Sequence, residues 1–316
     1  MRLTARFRLC WCVGLWVISS VPRLGSAATP AEQPHLLSPL RPYTLRLSSF
    51  VPSPGKAVGV LLKVSINGGR PLRLLLDSGA EHIVLPAGVA RTVSLSPDSR
   101  VSLIGFGDSV PATGFLAVAR SVEIGPLLFR DYPLDVVDHR VVDGADGVLP
   151  LALFSDFLVR LDFPAKLLEL TPYDEADEHH ERFTRALAVR AALFLRAVLD
   201  GPHTGYFLLD TGAAHNALTR ATVNELGGPG IGSSPRFVQG AGGASEVLQM
   251  KSPVHFRAAG QEITSDDVVM VDLGTFSRYN GVEVAGLLGY PALSRFVVTV
   301  NYRDALIRME PAGKPW

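Results

Sequence analysis

From residue 43 onward the chain is a succession of short apolar runs, each closed by Gly, Pro, Asn or Asp, and no long run keeps a helical period. Tyr43 to Phe50 alternates in part, with Leu45 and Leu47 set against Arg46 and Ser48, and predicts a first strand. Val58 to Ile66 is rich in β-formers and ends at Asn67-Gly68-Gly69. An Asn-Gly pair between apolar runs predicts a hairpin, because both residues tolerate positive φ; Leu72 to Leu76 is its second strand. Ile83-Val84-Leu85 follows, then a short helix over Pro86 to Val93. Val101 to Phe106 and Val110 to Ala119 predict another hairpin, with Gly107-Asp108-Ser109 at its tip. Val122 to Gly125 and Tyr132 to Val137 continue the β pattern. After Asp146-Gly147-Val148-Leu149-Pro150 a short helix is expected through Phe157, then two strands about Asp162-Phe163-Pro164.

The second half replays the first. Leu74-Leu75-Leu76-Asp77-Ser78-Gly79-Ala80-Glu81-His82 returns as Phe207-Leu208-Leu209-Asp210-Thr211-Gly212-Ala213-Ala214-His215, 133 residues later. The turns Asn67-Gly68 and Asp200-Gly201 keep the same offset. Asp146-Gly147-Val148-Leu149 through Asp162-Phe163 returns as Ala285-Gly286-Leu287-Leu288 through Asn301-Tyr302, offset 139. The Gly-rich Gln239 to Ala244 stands where the first half has Gly105 to Gly107. A period this long is not a solenoid; it predicts a duplicated β lobe. Between the halves lies a charged stretch, Asp174 to Glu181, with no apolar face. The expected domains are a Pro-rich linker or short pro-segment (29–42), an N-terminal lobe (43–172), a charged linker (173–185) and a C-terminal lobe (186–316). With no long helix, a parallel α/β sheet is not expected, and an all-β fold of two similar barrel lobes is.

Composition sharpens this picture in three places. Hydrophobic content of 47% over 316 residues is enough to bury a large core. Thirty basic and thirty acidic residues cancel, so no basic field for nucleic acid is present. Arg2, Arg6 and Arg8, the apolar run Leu9 to Val21, and small residues Gly25 to Ala28 predict a signal peptide over residues 1–28. That run is shorter than the roughly 20 residues of a spanning helix, so no membrane span is expected after its removal. The expected location is periplasmic or secreted. The two cysteines, Cys10 and Cys12, lie in this segment, which leaves the mature chain without a thiol nucleophile, disulfide or cysteine metal site.

The repeated Asp is the candidate chemistry. Two carboxylates about 3 Å apart cannot both ionise and so share a proton. The ionised member takes a proton from water while the protonated member polarises a carbonyl, which is what amide hydrolysis needs when metal, thiol and serine are absent. The apolar strands before Asp77 and Asp210 bury the loops. Ser78 and Thr211 are placed to hydrogen-bond across the pair. Gly79 and Gly212 allow close approach and aim N–H groups at the carboxylates.

Asp77-Ser78-Gly79 and Asp210-Thr211-Gly212, each behind an apolar strand, together with Ala145-Asp146-Gly147 and Val284-Ala285-Gly286, resemble the pepsin and retropepsin type of aspartic proteases. The likeness spans roughly residues 43–312, and is nearer to a shortened bacterial two-lobed form. Ala80 and Ala213, after each Gly, are as in retropepsins. The resemblance implies a pepsin-like fold with the cleft between lobes, Asp77 and Asp210 as catalytic pair, and Ser78, Gly79, Thr211 and Gly212 as its support. It further implies a monomeric, exported endopeptidase acting on an extended peptide, with no metal and no cofactor. The flaps would be Ile104 to Thr113 and Gln239 to Glu246, bringing Gly107, Gly242 and Gly243 to the substrate. No flap tyrosine is found, and Asp146 and Pro150 depart from the second copy of the late motif.

Other readings compete. His82 and His215 recur at one offset and either line the substrate cleft or are loop residues inherited by duplication. His179-His180 lacks a third metal ligand at fixed spacing and reads as linker. The Gly240 to Gly243 run has no strand–loop–helix context with Lys, so a flap is favoured over a phosphate site. No Gly-x-Ser-x-Gly elbow supports serine catalysis. The alternative function is an inactive peptide- or envelope-binding protein on the same fold.

Overall fold

The computed structural model describes residues 12–13, 35–52, 55–96, 98–103, 112–173, 182–227, 231–240 and 243–313. The expected signal peptide apart from 12–13, the charged stretch 174–181, and residues 104–111 with Gly107 at the tip of the second expected hairpin lie outside the described residues, as does Gly242.

The Asn67-Gly68 turn forms with φ of 52° and 70°, and Gly69 N–H donates to Ile66 at 2.9 Å. Asn67 also donates from Nδ2 to the Val93 carbonyl at 3.0 Å, so its side chain ties the turn to the end of the next helix. The turn joins Gly59–Ile66 to Leu72–Asp77 in antiparallel register, with Leu62 opposite Leu74. Leu72, Leu74, Leu75 and Leu76 are all buried, as expected of a strand covered on both faces.

Leu72–Asp77 lies at the middle of its half. Its other neighbour is Gly147–Pro150, which runs parallel with Gly147 opposite Leu74. Gly147–Pro150 meets Ile83–Pro86, and that strand runs parallel to Leu127–Val137. The second half has the same order. Thr204–Leu209 lies between Ala192–Leu199 and parallel Val284–Leu288; Asn216–Thr219 follows, then Val268–Val271. The late glycines are where strands come closest. A Cβ on Gly147 would stand 2.3 Å from the Val84 carbonyl oxygen, and one on Gly286 2.1 Å from that of Ala217. No other residue fits there.

A six-stranded sheet ties the halves together. Its order is Thr184–Arg185, Leu306–Pro311, Phe296–Asn301, Phe157–Asp162, Leu167–Pro172 and Tyr43–Arg46. Strands from both halves pair at its centre, Val159 opposite Val300. Phe163 of one half packs edge-on against Tyr290 of the other, ring centres 5.7 Å apart. Two buried apolar clusters each draw residues from both halves, and together they hold the Asp loops relative to each other.

The two-lobed all-β fold expected from the repeat is the fold found. The structure replaces the helix expected from Pro150 to Phe157 by a single 3₁₀ turn, Leu151–Phe154, because Gly147–Pro150 is committed to strand pairing and Phe157 opens the next strand. Helices are short: Ala87–Thr92 and Arg220–Glu225 follow the two Asp loops. Among the described residues no helix is long and apolar enough to cross a membrane.

Candidate active site

Asp77 is the last residue of Leu72–Asp77, and Asp210 directly follows Thr204–Leu209. Both side chains are fully buried at 0% exposure. Each turn is folded onto its own carboxylate. Gly79 N–H donates to Asp77 Oδ1 at 2.7 Å, and Gly212 and Ala213 N–H donate to Asp210 Oδ1 at 2.9 Å each.

The two loops then lock to one another. Ser78 N–H donates to Thr211 Oγ1 and Thr211 N–H to Ser78 Oγ, both at 3.0 Å. Each hydroxyl donates its proton to a carbonyl across the pseudo-symmetry axis: Ser78 Oγ to Leu209 O at 2.7 Å, and Thr211 Oγ1 to Leu76 O at 2.9 Å. Four reciprocal hydrogen bonds, all buried, hold the carboxylate-bearing backbones in one geometry.

That geometry brings the two carboxylates together, each against the other loop's glycine. The glycines are its seats. A Cβ on Gly79 would stand 3.2 Å from Asp210 Oδ2 and from Asp77 Oδ1. One on Gly212 would stand 2.5 Å from Asp77 Cγ. The Oδ2 atoms of both residues are buried without any donor, so a proton shared between the two is what satisfies them. Burial pushes Asp77 well above the usual carboxylate range, and the nearby Asp210 charge adds to it, against the pull of the Gly79 and Ala80 N–H groups. Burial likewise pushes Asp210 up to about 7, opposed by its hydrogen bond with Asp77 and by the Gly212 and Ala213 N–H groups. A pair of this kind retains one proton near neutrality and offers an acid and a base side by side.

The recurring histidines each have a carboxylate partner that the sequence pattern did not single out. His82 Nδ1 lies 3.2 Å from Asp135 Oδ2, and His215 Nδ1 contacts Asp267 Oδ1. A signal was present: Asp135-Val136-Val137 recurs as Asp267-Val268-Val269. Also missed was Asn216, whose Oδ1 accepts from Gly289 N–H at 2.8 Å and whose Nδ2 donates to Ser265. Its first-half counterpart, by the repeat offset, is Ile83.

Gly243 pairs with Gly240 at the end of the hairpin Ile231–Gly240 and Gly243–Met250. Among the described residues no group of three or more His, Cys, Asp or Glu is placed to hold a metal ion. A cavity of about 1160 Å³ opens in the second half, lined by Tyr206, Thr222, Glu246, Val247, Val282 and Ala285 among others. Neither Asp77 nor Asp210 lines it.

A family model described as aspartyl protease matches residues 62–151 and 195–292, more than half of the chain, with one Asp loop and one late glycine in each segment. Among solved structures, the aspartic proteinase from Irpex lacteus is similar in fold. Its TM-score is 0.57 at 14% identity, over 86% of this chain and 98% of that one. No curated protein matches the chain.

Proposed function

The chain belongs to the aspartyl protease family, and from that premise we propose that it is an exported, monomeric endopeptidase whose catalytic pair is Asp77 and Asp210. The observation that carries this is the fully buried carboxylate pair with its unpartnered Oδ2 atoms, each seated over the other loop's glycine. In the singly protonated pair, the ionised carboxylate removes a proton from a bound water as the water attacks the scissile carbonyl carbon. The protonated carboxylate gives its proton to the carbonyl oxygen, yielding a neutral tetrahedral diol. Collapse breaks the C–N bond, with the leaving nitrogen protonated from the pair. Ser78, Thr211, Gly79 and Gly212 keep the loops rigid through these steps. One chain supplies both loops, so a monomer is sufficient.

The substrate is an extended polypeptide, its backbone pairing with strand edges under the glycine-rich hairpin of strands Ile231–Gly240 and Gly243–Met250. His82 and His215 lie on the loops that carry the pair, and the more exposed His82 borders the path of that substrate. Export rests on the basic and apolar pattern of residues 1–28.

Peptide hydrolysis by the purified protein between pH 3 and 8, with and without a transition-state-like inhibitor of this enzyme class, tests the reading. Inhibitor-sensitive cleavage is expected. Absence of cleavage in every condition contradicts it and favours a binding protein on the same fold.

A further inference from the structure

The two His–Asp pairs are built inside out relative to each other. In the first half the carboxylate is hidden, Asp135 at 0%, while the His82 side chain is 27% exposed. In the second half the His215 side chain is 9% exposed and Asp267 is 37% exposed. A buried carboxylate whose Oδ1 has no hydrogen-bond partner is costly unless a cation faces it. The His82 ring, 3.2 Å away at Nδ1, is the group placed to be that cation when it is protonated.

The groups around it agree. Glu81 adds a second negative charge beside the ring, and Arg190 of the other half comes within 3.8 Å of Glu81. Tyr132, close to Asp135, stays a neutral phenol because burial and that carboxylate push its pKa up. Burial alone favours the neutral imidazole, but the Asp135 hydrogen bond and charge, with Glu81, outweigh it and raise the His82 pKa. With Nδ1 occupied by Asp135, the outer atom Nε2 carries the change: it is an N–H donor in the imidazolium and a bare acceptor in the neutral ring. Nε2 has no partner among the described residues. The ring stands on the turn that carries Asp77, five residues beyond it.

We infer that His82 determines specificity: its Nε2–H, fixed by Asp135, binds an acidic side chain of the substrate on one side of the scissile bond. The inference rests on the protease reading above. The preference is one-sided, because His215 in the other half is turned inward and its carboxylate outward.

Peptides identical except for Glu, Gln or Leu at each position within three residues of the cleaved bond are compared by kcat/KM at pH 5.5. At one position on one side, Glu exceeds Leu by about tenfold, the scale of one hydrogen bond to a charged group. His82→Gln brings that ratio near one. Asp135→Asn, which keeps the shape and removes the charge that holds the imidazolium, lowers it as well, while His215→Gln leaves it standing. Melting temperatures establish that the variants fold. A Glu/Leu ratio unchanged by His82→Gln, or no acidic preference at any position in the wild type, overturns the inference. Affinities of the same peptides for Asp210→Asn, with and without His82→Gln, are read by fluorescence anisotropy at pH 5.5 and 8.5, where the Glu preference fades at the higher pH. If the wild type cleaves nothing, the protease reading fails, and the affinity ratio alone still decides this one.

Discussion

The two halves of this protein agree at the carboxylates and disagree one layer out. Asp77 and Asp210 end equivalent strands, are equally buried, and receive N–H groups from their own turns. Around them the copies diverge. The second half adds the buried Asn216–Gly289 bond, whereas the first has Pro150, which has no N–H to donate, at the matching place. The His–Asp pairs exchange which member is hidden. Groups that must meet across the axis are held to near identity, while groups that face only one side of the cleft are free to differ.

Breaking the shared part gives the largest effects. Gly286→Ala and Gly147→Ala each drive a methyl onto a backbone carbonyl across a strand pair, at 2.1 and 2.3 Å. Both are expected to lose about 3 kcal/mol or more in denaturant unfolding, with Gly286 at least as severe. Next come the carboxylate seats. Gly212→Ala places Cβ 2.5 Å from Asp77 Cγ, while Gly79→Ala leaves 3.2 Å to Asp210. Gly212→Ala is therefore expected to reduce kcat more, by about 100-fold or beyond. Equal losses in the two would mean that the seats are equivalent after all.

Stability against pH reads the pair directly. An aspartate whose folded pKa is raised binds a proton that the unfolded chain, near 3.8, has already released. Folding stability therefore falls as pH climbs from about 4 towards Asp210's value of about 7. Asp210→Asn removes that fall. The variant is expected to exceed the wild type by on the order of 1–4 kcal/mol at pH 8, since each tenfold change in proton affinity between the folded and unfolded chain is worth about 1.4 kcal/mol. The gap closes towards pH 4. Urea unfolding across this range measures it, and a gap that widens towards acid would reverse the sign argued here.

The smallest effects sharpen the difference between the halves. Asp135→Asn disturbs a buried partner and is expected to cost about 1–3 kcal/mol. Asp267→Asn acts at a 37% exposed carboxylate and is expected to cost less than about 1 kcal/mol. Thermal melts of the two at pH 6 compare them.

Legibility in the sequence followed the range of the interaction. The Asp loops and late glycines could be read because each is a compact string repeated at nearly constant offset, and the Asn67-Gly68 turn because its φ angles are written in two residues. Ser78 and Thr211 were legible as types, but not the carbonyls they donate to, Leu209 and Leu76, which lie across the axis. The interlobe sheet drew strands from 43–46, 157–172, 184–185 and 296–311, which no local pattern groups together. Asp135 lies 53 residues from His82 and looked like one more polar position in a strand. The short helix expected before Phe157 is cut to the one 3₁₀ turn Leu151–Phe154 because the strands Gly147–Pro150 and Phe157–Asp162 bound it on either side.

The central claim is that one carboxylate from each half acts as a single unit. The direct measurement is peptide cleavage by Asp77→Asn, Asp210→Asn and the double variant, with folding verified by melting temperature. If the pair is the unit, each single variant loses about as much activity as the double, at least about 1,000-fold, since neither Asp is an acid–base pair alone. Substantial activity in either single variant, or losses that add from one to the other, would contradict it.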